Sequence, residues 1–239
     1  MIIPTSGIAF FFGAFVYIYL GRRFWRCYKA ENNTVAKLFG YAFFLIGTYS
    51  LVIGIISLLL IKNQAIWRII APIYAFLLGG GYLIIGYTVG YIRFRKYLPF
   101  YITLLLVGLI SIVTLYIIYP PSYFYTDGSL NWKINLPIMG LVIPIFVMMI
   151  IIPSIIIFFQ EAKKAENKKV KIRSLGFGLA LSAAFFGMIS DFFLITVFGL
   201  HPIFSDLNYF IISLILLLTL VPTWTPLKKK LDETDRRVL

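Results

Sequence analysis

Seven long apolar stretches dominate this sequence, at about residues 3–20, 38–61, 67–91, 99–119, 135–159, 174–199 and 206–224. Wound as a helix, a run of about 18 apolar residues or more is long enough to cross a bilayer. Inside lipid every backbone N–H and C=O must be paired within the protein, which a helix does by itself. Only 13% of the 239 residues are charged, against roughly 25% in soluble domains. The sequence therefore predicts an all-α integral membrane protein of the multi-pass cell-membrane type. Its fold is a seven-transmembrane helix bundle over residues 1–225, followed by a basic cytoplasmic tail over 226–239, and its first partner is the lipid bilayer.

The basic residues set the orientation. Arg22, Arg23, Arg26, Lys29 and Lys37 lie between the first two runs. Arg93, Arg95 and Lys96 lie between the third and fourth. Lys163, Lys164, Lys168, Lys169, Lys171 and Arg173 lie between the fifth and sixth, and Lys228, Lys229, Lys230, Arg236 and Arg237 in the tail. Nineteen of the 22 Lys and Arg thus fall on one side, with only Lys62, Arg68 and Lys133 on the other. Lys and Arg collect in cytoplasmic loops. The expectation is an N-terminus outside and a C-terminus in the cytoplasm. The net charge of +13 comes from these loops, so it does not imply nucleic acid as a partner.

Several chemistries are not expected. The chain has a single cysteine, Cys27, a single histidine, His201, and no acidic cluster, so no metal site, cofactor or catalytic residue is predicted. Residues 1–20 carry their positive charge after the apolar run, so they read as a retained first span instead of a cleaved signal peptide. The last run has no lysine for a retinal Schiff base. The stretches Gly90-Tyr91-Ile92-Arg93-Phe94 and Leu220-Val221-Pro222-Thr223-Trp224 lack the motifs of G-protein-coupled receptors.

The longest connection on the outer side, about residues 120–134, holds Asp127-Gly128 between aromatic, strand-prone residues. That dipeptide favours a two-residue hairpin turn, so a short hairpin over the bundle mouth is expected. Its aromatics either seat at the headgroup level or line a ligand pocket. Asn32-Asn33-Thr34 has the form of a glycosylation sequon but falls on the cytoplasmic side. In the tail, Leu227, Leu231, Thr234 and Val238 recur as one helix face does.

Few residues stand out as candidate sites. Asp191, preceded by Ser190, is the acid placed deep inside a span, and Arg68 is its candidate partner. An acid at that depth faces the bundle interior or a water pocket, so it is either a ligand or proton site or a polar clamp. Gly86 and Gly90 have the small-xxx-small spacing of close helix packing. Pro144 and Pro153 should bend the fifth span.

In layout the chain resembles the seven-transmembrane N-terminal sensor region of prokaryotic histidine kinases and diguanylate cyclases. The resemblance covers about residues 1–225. It rests on the basic Arg22-Arg23-Phe24-Trp25-Arg26 segment, the long loop with Asp127-Gly128 and Trp132, and the basic lead-in ending at Arg173. The polar Ser190-Asp191 pair and the Gly199-Leu200-His201-Pro202 turn leading through Asp206 into the last run complete it. The departure is that no output domain follows before Leu239. The resemblance implies a sensor or receptor-like protein that relays an extracytoplasmic or membrane signal to a cytoplasmic signalling partner. The alternatives are a small-molecule transporter or permease, and a structural subunit docked to another membrane subunit. An enzyme is not expected.

Overall fold

The computed structural model describes residues 3–133, 139–189 and 201–221. Seven α-helices account for most of these: α1 (Thr5–Glu31), α2 (Thr34–Leu58), α3 (Gln64–Arg93), α4 (Leu98–Ile118), α5 (Met139–Lys164), α6 (Lys168–Ile189) and α7 (Ile203–Leu220). All seven contain a segment long and apolar enough to cross a membrane. The helices start or stop within a few residues of the apolar runs, with two larger differences. α1 continues about three turns past its run, so Arg22, Arg23, Arg26 and Lys29 sit on a helix and not in a loop. α6 starts at Lys168, within the basic stretch.

Local chemistry explains the short connections. Asn32 ends α1 in the left-handed conformation, and the Asn33 side chain accepts from the backbone N–H groups of Val35 and Ala36 to start α2. The sequon-like triplet is thus a helix stop followed by a helix start, built from residues that favour αL and N-cap positions. Asn63 caps α3 in the same way, accepting from Ala65 N–H. A single 3-10 turn, Arg95–Tyr97, links α3 to α4.

Each helix packs against the next in sequence, α1 meets α7 to close the ring, and α3 also touches α5. The tightest pair is α1 with α2. Gly40, Gly47 and Gly54 recur every seventh residue along α2, so they share one face. A Cβ at Gly54 would lie 3.0 Å from Phe11 N, and one at Gly47 would lie 3.1 Å from Ile18 N. From the other side, a Cβ at Gly7 would lie 2.7 Å from Leu58 N. Backbone meets backbone along this seam, which only small residues allow.

Outward, the helices present large apolar side chains, among them Phe15, Ile69, Phe76, Ile110 and Leu218. On α4 only Leu105, Leu109, Ile112 and Tyr116 are buried, a single inward stripe. Water-soluble proteins rarely show so much contiguous apolar surface.

Between α4 and α5 the chain forms the expected hairpin. Strands β1 (Ser122–Thr126) and β2 (Ser129–Lys133) pair antiparallel, with Thr126 opposite Ser129. Asp127 and Gly128 both take positive φ, 48° and 90°. This is the turn geometry whose twist matches paired strands, and Gly128 adopts it without a Cβ penalty.

Candidate functional site at the hairpin end of the bundle

The hairpin lies over one end of the bundle and is fastened along both strands. On β2, three chain segments distant in sequence converge. Thr5 and Ser6 lie in the first turn of α1, Ser129 and Leu130 on β2, and Asp206 in the first turn of α7. Asp206 is only 5% exposed, and Ser6 and Ser129 are fully buried. The Ser6 hydroxyl donates to Asp206 Oδ1 at 2.6 Å and accepts from Leu130 N–H at 2.6 Å. The Thr5 hydroxyl donates to Asp206 Oδ2 at 3.0 Å and is bonded to the Ser129 hydroxyl at 2.7 Å. The carboxyl group is the hub of a closed network whose donors point toward it. A carboxylate in a helix's first turn is also favoured by the positive end of the helix dipole.

On β1, Gln64 opens α3 and pairs with the strand as another strand would. Its Oε1 accepts from Tyr123 N–H at 3.2 Å, and its Nε2 donates to Tyr123 C=O. The Tyr123 ring stacks on Trp67 with centroids 4.1 Å apart and planes 13° from parallel. Trp67 is fully buried and donates from Nε1 to Ile61 C=O at 2.9 Å. The Tyr123 hydroxyl meets that of Tyr74 at 2.8 Å, and Tyr125 donates to Ile56 C=O at 3.3 Å. Burial pushes both hairpin phenols above their ordinary pKa, Tyr123 far more than Tyr125, so they act as neutral hydrogen-bonding groups. Phe124, between them, points outward. The turn adds a contact of 3.4 Å between Asp127 and His201. With Asp127 87% exposed, that pair contributes little.

Below the hairpin an aromatic interior continues into the bundle. Tyr74 stands edge-on to Tyr116 at 5.4 Å and lies 5.9 Å from Tyr49. Phe10 links Tyr49 to Tyr209, and Tyr209 bonds to the Ser50 hydroxyl. Among α3, α4 and α5 lies a chamber of about 60 Å³, bounded by residues that include Tyr74, Tyr82, Tyr116, Ile112 and Phe146. A water needs roughly 10–15 Å³ on this scale, so the chamber has room for a few water- or methyl-sized groups.

At the opposite end, Phe177 packs against Phe39 and Phe158, each at 4.9 Å. Arg23 of α1 donates to the carbonyl of Val221, just past α7. α7 is therefore tied to α1 at both ends, and in between by Tyr209, whose ring lies against Phe10.

Of the candidates named from sequence, Ser190 and Asp191 lie outside the described residues, and so does any pairing of Asp191 with Arg68. Arg68 is exposed on α3, next to Trp67. A Cβ at Gly86 would press on Leu105 and Ile150, and one at Gly90 on Leu98 and Tyr101, so both glycines sit where α3 meets its neighbours. The tail over 226–239 also lies outside the described residues. Among the described residues no three His, Cys, Asp or Glu side chains gather as metal ligands. In the sequence Asp206 stands out only as part of the turn leading into the last run and not as a site, because acids at the edge of an apolar run are ordinary. The available signal was the Thr5-Ser6 pair opening the first run, a second polar entry into the same end of the bundle.

No family model matches this chain, and no curated protein or solved structure shows significant similarity to it.

Proposed function

We propose that this protein is a multi-pass membrane sensor in which the hairpin is the input element and α7, with the tail beyond it, is the output. In this reading the bundle spans the cell membrane with the hairpin outside and the basic end in the cytoplasm. The apolar outward surface and the loop-by-loop alternation of Lys and Arg support that placement. The observation that carries the reading is the Asp206 network. It joins the hairpin to the first turn of α7, the helix that leads to the tail, and to α1, which holds the far end of α7 through Arg23. A perturbation of the hairpin therefore has a direct route along one helix pair. The cytoplasmic partner would recognise the tail or the basic loops.

The second reading, a small-molecule transporter, draws on the chamber among α3, α4 and α5.

Hydrogen–deuterium exchange on the full chain in lipid nanodiscs tests the relay. Asp206→Ala and, as a milder variant, Ser6→Ala should raise exchange in the hairpin and also around Val221 and the tail. A rise confined to the hairpin end in both variants would refute the relay. Uptake of a solute by proteoliposomes of the pure protein would put the transporter reading first.

A further inference from the structure

The turn between α3 and α4, at the end opposite the hairpin, concentrates two kinds of exposed side chain. Arg93, Arg95 and Lys96 are all exposed. So are Tyr91, Phe94, Tyr97 and Phe100, with Tyr97 at 64% and Phe100 at 74%. The 3-10 turn Arg95–Tyr97 buries nothing. The Arg95 guanidinium lies 5.8 Å from the Tyr91 ring centre, and the Lys96 ammonium lies 5.8 Å from that of Tyr97. Such placement holds each cation at the level of an aromatic ring. No acidic residue occurs anywhere between Glu31 and Asp127, and among the described residues none of the three cations forms an ion pair.

Aromatic rings seat at the boundary between acyl chains and headgroups. Cations held beside them lie at the depth of lipid phosphates, and basic residues near an anionic leaflet are attracted to it. We propose that this turn is a binding site for anionic phospholipid headgroups, with Arg93, Arg95 and Lys96 meeting the phosphate and Tyr97 and Phe100 lying against the chains. The first basic stretch also sets cations beside rings, Arg23 at 5.7 Å from Tyr19 and Lys37 at 5.3 Å from Tyr28, but it and the stretch before α6 differ from this turn in their acids and in how their aromatics are used. That from Lys163 to Lys171 contains Glu166 and no aromatic residue. That from Arg22 to Lys29 runs up to Glu31, buries Phe24, and has Trp25 and Tyr28 packed on each other at 5.5 Å.

The test is to reconstitute the full chain in phosphatidylcholine vesicles with a minor share of phosphatidylglycerol, extract it gently and measure the lipids retained by mass spectrometry. One cation near an anionic surface is worth roughly a fivefold preference, so phosphatidylglycerol should be retained at least about fivefold above its share. The R93Q/R95Q/K96Q variant should reduce retention to that share. The K168Q/K169Q/K171Q variant removes equal charge and should retain the lipid as wild type does. Wild-type retention at the bulk share would overturn the proposal. Equal loss in both triple variants would also overturn it, since total charge would then be the cause. Displacement of the lipid by inorganic phosphate would reassign the site to a bare anion.

Discussion

Removing the Asp206 carboxyl should unfasten one edge of the hairpin while leaving the bundle assembled. Asp206→Ala deletes the acceptor of two hydroxyl bonds, from Ser6 at 2.6 Å and Thr5 at 3.0 Å. Ser6 is fully buried and Asp206 is 5% exposed, while Thr5 is half-buried. Leaving a buried donor unpaired costs about 1–3 kcal/mol, so the two together cost about 2–6 kcal/mol before relaxation. The Thr5 hydroxyl, on a half-buried residue, can recover part of this from water; its bond to Ser129 is no substitute, because the one Thr5 proton goes to Asp206 and Ser129 is already the donor there. Ser6 has no such choice, because its other bond is one it accepts, from Leu130 N–H. A net local loss of about 2–4 kcal/mol is expected, or roughly 30- to 700-fold in the opening equilibrium at 1.4 kcal/mol per decade. The amide of Leu130 is the direct reporter. Its exchange should accelerate by that factor, and Asp206→Asn, which keeps one acceptor oxygen, should fall between. Unchanged exchange at Leu130 in Asp206→Ala would show that the carboxyl does not fasten the hairpin.

Four further outcomes are expected from the packing and bonding described above. Gly54→Leu should destabilise the bundle by about 1–3 kcal/mol through overpacking, because its Cβ would already meet the Phe11 backbone at 3.0 Å. Gly80→Ala should be tolerated or mildly stabilising, since its Cβ would meet only Leu45 at 3.5 Å, and thermal denaturation in detergent compares the two. Gln64→Ala removes both bonds to the Tyr123 backbone at an exposed position, so a loss of only about 1–2 kcal/mol is expected, visible as faster protease cleavage within residues 122–133. Docking of the hairpin should also weaken in strong base. The Tyr123 and Tyr125 hydroxyls are raised by burial, so their contribution is complete below the ordinary phenol pKa of about 10 and is lost as pH climbs through the folded values. Cleavage of the hairpin by an alkaline-stable protease should rise above about pH 10 in wild type and less in Tyr123→Phe.

The apolar runs located all seven helices, because an apolar segment of that length has only a helix as a way to pair its own backbone. The hairpin was equally legible, since Asp127-Gly128 encodes its turn locally. The triplet at Asn32 to Thr34 has the form of a sequon on the side expected to be cytoplasmic, and its geometry is a helix stop followed by a helix start. The glycine seam could have been read from the seven-residue spacing of Gly40, Gly47 and Gly54. Gly86 and Gly90 of α3, with their small-xxx-small spacing, pack instead against side chains.

Neighbours along the chain set the number and order of the helices, the type of the hairpin turn and the helix caps, and these follow from the sequence alone. Which distant residues meet is settled by the packing of the helices. Thr5, Ser129 and Asp206 are each unremarkable polar residues at the edge of an element. They become a network because closing the ring of helices brings α1 beside α7, and the hairpin then covers both. Pairing of buried polar groups depends on positions within about 3 Å, and no local pattern of a single chain segment specifies a distance between residues 200 positions apart.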